Sequence, residues 1–439
     1  MRSWLPLLGL VGCVDPYPDD TSDPVETDTT PVVETDETDV TETDPPPITD
    51  RCLAFTANGT VAADETLASP PSFRNDRPAV GVNADGVVNI AYSVAEGGYH
   101  GFWAERTSTG WDEAPTPFDI ATSGIAYDDD GSPIVIAYPG GADTGIWRHS
   151  GTSWTPYANP TGYAGGSSST FARGTDGSLH AVLTPTGNYS DVVYALYDGS
   201  TWTYEPIGAV ANFVSAAGLA LAQNDAPHIV FWDSDEPNGW KLMYRGPNGS
   251  VSTGYVPGTW VLESPWVDMA ADAGAPMAIV DPQRHGAHYE VAALVGKQTP
   301  FTEIVIATGT EPQLCGEPVG ICNVDYEVVY PVAVATDAAG GAWWAWSRVH
   351  IEGTYVAVCG GMPYHCEWQG GTVTSDGDLS VSCMDDQSVL HERRILDVYG
   401  PGSGDMTVSG DTLHLATYDW DYEAGNSVVR YTQVALTGN

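Results

Sequence analysis

Positively charged side chains are scarce in this 439-residue chain. It has 15 Lys and Arg against 58 Asp and Glu, which gives a formal net charge of −43 at pH 7. Nucleic acids and anionic membrane surfaces attract basic proteins, so this balance argues against both as partners. It permits cationic ligands and divalent cations, although negative charge also serves solubility.

Long apolar runs and catalytic motifs are missing as well. The chain has no run of 18 apolar residues, so no membrane-spanning helix is expected. It has no G-x-S-x-G, H-E-x-x-H or P-loop motif, and the Gly/Ser loop "GGSSST" at 165–170 lacks the Lys of a phosphate cradle. Helical periodicity is absent too, so the remaining pattern points to strands.

The N-terminus has the pattern of an export signal. Met1 and Arg2 precede the apolar segment "SWLPLLGLVG", which runs into Cys13. Residues 10–13, "LVGC", resemble the lipobox of bacterial lipoproteins. The resemblance implies a signal peptide over residues 1–12, acylation of Cys13 and a lipid-anchored protein of the bacterial cell envelope, at the outer membrane or the cell surface. Membrane contact would then be confined to the lipid. The alternative is an ordinary secretory signal.

A low-complexity segment follows Cys13. Residues 14–50 contain 13 Asp and Glu, nine Thr, seven Pro and no Lys or Arg. Such a segment buries too little apolar surface to offset its ordering entropy, and its charges repel one another. We therefore expect residues 13–50 to form an extended, disordered linker before a folded domain at 51–439. O-glycosylation of its threonines stays open.

A repeat fills the rest of the chain. Short apolar strands flank turns rich in Asp, Asn and Gly, as in "GIAYDDDGSPIVIAY" at 124–138. Aligning the turns gives Gly86, Gly131, Gly177, Asp225, Gly274, Gly340 and Asp411. Asp and Gly suit the left-handed backbone of tight hairpins, so Asp128, Asp129 and Asp130 are predicted to be turn residues and not a catalytic site.

A second pair of strands follows each hairpin, with Gly-x-x-Trp marking the last turn in the clearest units. Seven units of four strands predict an all-β fold, a seven-bladed β-propeller, with six or eight blades as the alternatives. The last unit lacks a fourth strand, and "CLAFTANGTVA" at 52–62 lacks a partner. We therefore expect an N-terminal strand to complete the last blade and close the ring.

Six cysteines remain after Cys13. In an oxidising compartment they predict disulfides, although six cysteines allow 15 pairings. Two Cys-x6-Cys units are expected to form local staples in decorated loops of blades five and six, which leaves Cys52 and Cys383 as partners. Zinc binding is the rival interpretation. The staple cysteines are Cys315, Cys322, Cys359 and Cys366.

The repeat resembles those of exported bacterial propellers of the sialidase-like kind. The resemblance implies the fold and not the activity. The sialidase Asp-box is Ser/Thr-x-Asp-x-Gly-x-x-Trp, and "YDGSTW" at 197–202 departs from it because Asp198 directly precedes Gly199. The arginine triad of that family cannot be assigned to Arg106, Arg148 or Arg173, which occupy scattered repeat positions.

The composition favours a binding or scaffold module over an enzyme. We expect a monomer that binds a glycan or protein ligand at the cell surface. A hydrolase or lyase of sialidase-like architecture, with a carboxylate or Tyr/Glu pair in the central mouth, is the alternative. His180, His228 and His414 share one position of the second strand, which a repeated structural role explains better than catalysis.

Loops after the second strands are the expected ligand face, because the opposite turns are short and uniform. Two of these loops carry Asp-x-Asp after an aromatic residue. Paired carboxylates can bind Ca²⁺ or sugar hydroxyls there. The alternative is that these acidic side chains only interact with solvent, as on any acidic domain. The candidate residues are Trp232, Asp233, Asp235, Asp281, Tyr418, Asp419 and Asp421.

Overall fold

The computed structural model describes residues 50–437 apart from several gaps. The gaps are 69–76, 96–98, 119, 139–144, 165–169, 186–190, 210–216, 223, 235–239, 248, 253–265, 270–275, 280–282, 286–287, 297–300, 311–318, 361–364, 386, 398–402 and 422–425. The predicted signal segment, Cys13 and nearly all of the predicted linker lie outside the described residues. No helix in the described part has the length and hydropathy needed to cross a membrane.

Antiparallel strands dominate the described residues, after one helix, α1 (Arg51–Asn58), and strand β1 (Thr60–Ala68). Sheet 1 contains β2 (Ala79–Val82), β3 (Val88–Ala95), β4 (Tyr99–Thr107) and β5 (Gly110–Pro115). Sheet 2 contains β6 (Ile120–Tyr127), β7 (Pro133–Tyr138), β8 (Gly145–Ser150) and β9 (Ser153–Ala158). Sheet 3 contains β10 (Tyr163–Ala164), β11 (Thr170–Arg173), β12 (Leu179–Pro185), β13 (Asp191–Tyr197) and β14 (Trp202–Ala209). Sheet 4 contains β15 (Ala217–Leu221), β16 (Pro227–Ser234), β17 (Trp240–Gly246) and β18 (Gly249–Ser252).

The remaining strands complete three further sheets. Sheet 5 contains β19 (Trp266–Met269), β20 (Pro276–Ile279), β21 (Gln283–His285), β22 (His288–Val295) and β23 (Thr302–Thr308). Sheet 6 contains β24 (Val319–Thr336), β25 (Ala342–Gly360), β26 (His365–Met384) and β27 (Leu390–Asp397). Sheet 7 contains β28 (Ser403–Ser409), β29 (Thr412–Asp421), β30 (Asn426–Ala435) and β1.

The described strands thus form seven sheets, and their four-stranded blades make the fold a β-propeller. Six sheets each come from one continuous stretch of chain, and the seventh combines the two ends of the domain. Their first strands touch in succession: β2 with β6, β6 with β11, β11 with β15, β15 with β19, β19 with β24, β24 with β28, and β28 with β2. The all-β prediction with four-stranded propeller blades is confirmed.

The N-terminal segment differs in part from the prediction. Residues 51–58 form a helix and not a strand, because the side chain of Asp50 accepts a hydrogen bond from Leu53 N–H at 3.1 Å and caps the first turn. Phe55 is buried against Trp343 of sheet 6, with an edge-to-face ring contact. The strand starts at Thr60, and β1 pairs antiparallel with β30 from Thr60↔Ala435 to Ala68↔Val429.

The acidic stretch at 128–131 is a hairpin turn, as predicted. Asp128 N–H donates to Ser132 O at 2.8 Å, and Gly131 N–H donates to Asp128 O at 2.9 Å. Gly131 has φ +80°, a left-handed conformation that glycine adopts at little cost. The same two hydrogen bonds and left-handed residue recur at the turns of Gly86, Gly177, Asp225 and Gly340. Gly274 lies outside the described residues.

Sheet 6 carries its extra residues in strands and not in decorated loops. Strands β24, β25 and β26 have 18, 19 and 20 residues, and they continue away from the turn at Asp337. We call the three-stranded extension formed by residues 319–329, 348–360 and 365–378 the ribbon. Cys359 and Cys366 are paired opposite each other in its register, Cys322 lies in β24, and Cys315 lies outside the described residues. The side chains of these cysteines are not described, so their pairing stays a prediction.

Candidate functional site

The predicted ligand loops are only partly within the described residues. Trp232 and Asp233 lie at the end of β16, where their backbones pair with Leu242 and Lys241. Their side chains are not described. Asp235 and Asp281 lie outside the described residues. Their predicted role in ligand binding therefore stays a prediction.

Tyr418 and Asp419 do not match the prediction of an exposed loop, because β29 extends to Asp421. Tyr418 is 1% exposed; its hydroxyl donates to Ser93 O and accepts from Ser93 N–H, both at 2.8 Å. Asp419 is 3% exposed and forms an ion pair with Arg430 at 3.4 Å. The interpretation of these two residues as an exposed aromatic and a loop carboxylate is wrong. Asp421 ends the strand, and its side chain is not described.

The Ca²⁺ prediction finds no support among the residues that can be described. No group of three His, Cys, Asp or Glu side chains in that part of the chain could hold a metal ion. Because several of the proposed ligands lie outside it, Ca²⁺ binding stays a prediction.

The three repeated histidines make the same contact in three sheets. The Nδ1 atom of each lies within hydrogen-bond distance of a tyrosine hydroxyl on the neighbouring strand: His180 with Tyr194 at 2.6 Å, His228 with Tyr244 at 2.5 Å and His414 with Tyr431 at 2.7 Å. All three imidazoles are buried, and burial lowers their pKa values. The prediction of a repeated structural role fits this geometry, and His180 also lines a pocket.

That pocket has a volume of about 250 Å³ and lies at the turn ends of sheets 3 and 4. Three turns surround it: the turn between β11 and β12, the turn between β13 and β14, and the turn between β15 and β16. The lining residues are Asp176, Ser178, His180, Leu196, Asp198 and Asp225. No Lys or Arg is among these described lining residues. This is the side that the sequence predicted to be uniform.

Local hydrogen bonds hold the three pocket carboxylates in place and in the ionised form. Asp198 accepts from Thr201 N–H and from Ser200, which lowers its pKa to about 2. Ser178 lowers the pKa of Asp176 in the same way. For Asp225 burial opposes ionisation, but the hydroxyl and N–H of Thr175 outweigh it and lower the pKa.

The imidazole of His180 has both nitrogens engaged. Nε2 lies 2.9 Å from Ser178 Oγ, and Nδ1 lies 2.6 Å from the Tyr194 hydroxyl. Burial lowers the pKa of His180, so the ring is neutral at neutral pH. The pocket therefore carries three negative charges that no lining cation offsets.

The neighbouring turn differs because arginines neutralise it. Arg148 pairs with Asp128 at 2.9 Å and with Asp130 at 2.5 Å. Arg173 of sheet 3 pairs with Asp128 at 3.2 Å and with Asp129 at 2.8 Å. Arg148 belongs to the same sheet as this turn, whereas Arg173 joins it to the adjacent sheet. They form no triad for a substrate carboxylate.

Sequence reasoning missed this pocket because its residues come from three turns that are far apart in the chain. One sequence signal was available. Asp225 stands where most aligned turns have Gly, and it adopts φ +58°, which is uncommon for a residue with a side chain. Its carboxylate bonds to Thr175 of sheet 3, so the departure from Gly marks a contact between sheets.

Comparisons with known proteins found similar solved structures but no family. No protein-family model and no curated protein matches the chain. Among solved structures, the chain is similar to an ulvan lyase bound to -[GlcA(1-4)Rha3S]-, with 11% identity, a TM-score of 0.48 and coverage of 86% of this chain and 96% of that one. It is also similar to the Aleuria aurantia lectin in complex with Fucalpha1-6GlcNAc, with 12% identity, a TM-score of 0.38 and coverage of 70% and 96%.

A third similarity is to a fungal alcohol oxidase in complex with copper, with 14% identity, a TM-score of 0.47 and coverage of 86% of this chain and 76% of that one. These identities and TM-scores are too low to indicate what the present chain binds. The class defined by the strands themselves is that of the β-propeller proteins, which host many unrelated functions.

Proposed function

We propose that this chain is a binding module of the bacterial cell envelope, a β-propeller that recognises a glycan through the pocket of Asp176, Asp198 and Asp225. The observation that carries the proposal is three ionised carboxylates, held by their own turns, around a cavity with one apolar wall at Leu196. Sites of this kind fix the orientation of a ligand with a few placed polar groups.

A sugar suits this chemistry. Ionised carboxylates only accept hydrogen bonds, and sugar hydroxyls can donate them. Hydrogen bonds to a charged acceptor are stronger than neutral ones. The cavity volume of about 250 Å³ is below the range of about 300–1,000 Å³ found for drug-sized ligands, so it suits a single sugar unit of a longer chain. A protein ligand would instead have to insert one side chain.

Binding is favoured over catalysis at this pocket. A general base needs a free position within hydrogen-bond reach of the substrate, and both nitrogens of His180 are engaged within the protein. The surrounding carboxylates would also disfavour an anionic transition state. The carboxylate pair of Asp378 and Glu392, which Ser380 bridges at 3.3 and 3.4 Å, lies on the third and fourth strands of sheet 6 and not in the central mouth.

The finer architecture belongs to the same proposal: one ring of seven blades, closed by β1. Its support is the succession of first-strand contacts, the pairing of β1 with β30 and the disulfide between Cys52 of α1 and Cys383 of sheet 6, with a Cα–Cα distance of 5.6 Å. The predicted Cys52–Cys383 pairing is confirmed, although Cys52 lies on a helix and not on the closing strand.

Glycan-array binding by the full-length protein tests the pocket. The double variant Asp176→Asn/Asp198→Asn keeps an oxygen acceptor in each turn and removes two charges, so the turns should persist. We expect the affinity for a bound glycan to fall by about tenfold or more, because hydrogen bonds to charged groups contribute about 1.5–3 kcal/mol each. Asp85→Asn, an exposed turn aspartate of sheet 1, is the matched control. Unchanged binding by the double variant would place the ligand elsewhere.

Envelope anchoring is proposed from "LVGC" and the acidic segment behind it. Metabolic labelling with a fatty-acid probe should mark the wild type and leave Cys13→Ser unlabelled. Membrane fractionation should then release the variant into the soluble fraction. Equal labelling of both proteins would refute the lipid anchor without touching the pocket.

A further inference from the structure

The ribbon of sheet 6 has two chemically different faces. Directly paired residues of antiparallel strands share a face. Tyr326 and Val328 lie on one face and are buried, together with the partly buried Ile351. The other face is charged, and one of its cross-strand rows consists of Glu327, His350 and Asp376.

His350 sits in the middle strand and reaches a carboxylate on each side. Its Nε2 lies 2.8 Å from Asp325 Oδ1 on β24. Its Nδ1 lies 3.2 Å from Asp376 Oδ1 on β26. One imidazole therefore bridges all three strands of the ribbon.

The number of protons decides whether both contacts are hydrogen bonds. A carboxylate can only accept, so each imidazole nitrogen must donate. Neutral imidazole has one N–H, and imidazolium has two. The neutral ring therefore satisfies one carboxylate and turns a lone pair towards the other. The full bridge between three strands exists only when His350 carries a second proton.

The charges around His350 favour that proton. Strand β24 contributes Asp325 and Glu327, and β26 contributes Asp376 and Asp378. On β25 itself Glu352 and Arg348 flank the histidine, and Arg348 lies 3.8 Å from Glu327. On the three ribbon strands five carboxylates and one guanidinium thus share this face, and Arg394 of β27 lies 3.7 Å from Asp378. Carboxylates still outnumber guanidinium groups, a balance that attracts protons.

The direction of the pKa follows from these contacts. The hydrogen bond to Asp325 has the largest effect and raises the pKa of His350. Burial opposes it, and the hydrogen bond to Asp376 adds to the rise, so that the pKa is raised overall. For a group whose pKa is higher in the bridged state, the stabilisation is fully present below its unbridged pKa. It is lost as the pH rises through the bridged value.

We propose that His350 is a proton-operated clamp that ties the three strands of the ribbon together in mildly acidic surroundings and releases them at higher pH. The ribbon extends away from the Asp337 turn, towards the side on which the sequence places the loops after the second strands. The protonation of His350 therefore controls the rigidity of the ribbon on the side of the propeller where a partner would bind. It does not depend on the proposed glycan pocket, which lies at the turn ends.

Hydrogen exchange in the full-length protein tests the clamp. Amides of residues 324–328, 349–353 and 374–378 are followed at about pH 5.5 and about pH 7.5, corrected for the intrinsic effect of pH on exchange. We expect protection of these amides to be about 2- to 5-fold higher at the lower pH, the range that an exposed ion pair supplies. In His350→Gln, which has a side chain of similar reach that does not titrate, this dependence should disappear.

Two further variants make the outcome decisive. His391→Gln, at the other end of the same sheet, should keep the wild-type pH dependence. Asp325→Asn/Asp376→Asn should lose it while retaining the histidine. If the wild type shows no change in protection with pH, or if His350→Gln shows the same change as the wild type, the clamp is refuted. Because His350 is partly exposed and lies outside the propeller blade, these substitutions leave the core untouched.

Discussion

Single side chains join the sheets of this propeller through a recurring contact. In two of the three sheets in which a histidine contacts a tyrosine, an arginine of the next sheet stacks on that tyrosine: Arg245 over Tyr194 at 4.7 Å, and Arg106 over Tyr431 at 5.1 Å. Each arginine also forms an ion pair with a glutamate of the sheet that carries the tyrosine: Arg245 with Glu205 at 2.6 Å and Arg106 with Glu65 at 2.8 Å. Cation–π contacts of this kind contribute about 0.5–2 kcal/mol each.

The buried histidines make stability depend on pH. Burial lowers the pKa of His414 from 6.5 to about 4. Between these values the unfolded chain binds a proton that the folded chain does not, so the free energy of unfolding falls as the pH is lowered from about 6.5 to about 4. The contribution of His414 is on the order of 3 kcal/mol. Urea unfolding of the wild type across this range should show the decline.

Two variants test whether His414 causes that loss of stability. His414→Gln removes the titrating group and keeps a side chain that can bond to Tyr431, so its stability should change less with pH than that of the wild type. His100→Gln, at an exposed position, should follow the wild type. Parallel pH profiles for His414→Gln and the wild type would show that this histidine does not cause the decline.

Turns and strands were the elements that the sequence predicted best, because both depend on local chemistry. The turn at Gly131 and its relatives follow from the left-handed backbone that Asp and Gly tolerate. Helix α1 was missed because eight residues give too little periodicity to recognise, and its cap at Asp50 stands at the end of a low-complexity segment. The ribbon was missed because cysteines suggested loops, although residues 324–328 alternate apolar and polar as a strand does.

At the scale of the whole molecule, several contacts join helix α1 to sheets 6 and 7. Beside the Cys52–Cys383 disulfide, Arg51 pairs with Asp337 of sheet 6 at 2.9 Å and with Asp411 of sheet 7 at 3.1 Å. Arg393 donates to the Thr56 carbonyl at the end of α1 at 2.6 Å. The helix thus fastens sheets 6 and 7, and β1 completes sheet 7.

Removing the disulfide should therefore destabilise the domain strongly. It closes a loop with a sequence separation of 331 residues, for which the entropic model gives about 6 kcal/mol. Cys52→Ala/Cys383→Ala should lower the free energy of unfolding by about 2–5 kcal/mol in urea titrations. The control is Cys359→Ala/Cys366→Ala, whose predicted staple closes a short loop and should cost less. If Cys52→Ala/Cys383→Ala loses no more unfolding free energy than the control, the disulfide does not have this stabilising role.

The repeat, the turns, the propeller class and the pairing of Cys52 with Cys383 could all be inferred from the amino-acid sequence. Each follows from a local conformational preference repeated many times, or from counting residues that need partners. The pocket could not be inferred, because Asp176, Asp198 and Asp225 meet only when sheets 3 and 4 pack side by side. The same holds for charge: the turn at Asp128 and the turn at Asp176 are both acidic, but the ion pairs of Arg148 and Arg173 are with the first. Which carboxylates form ion pairs is decided by long side chains from other strands and sheets, and no local pattern encodes that distance.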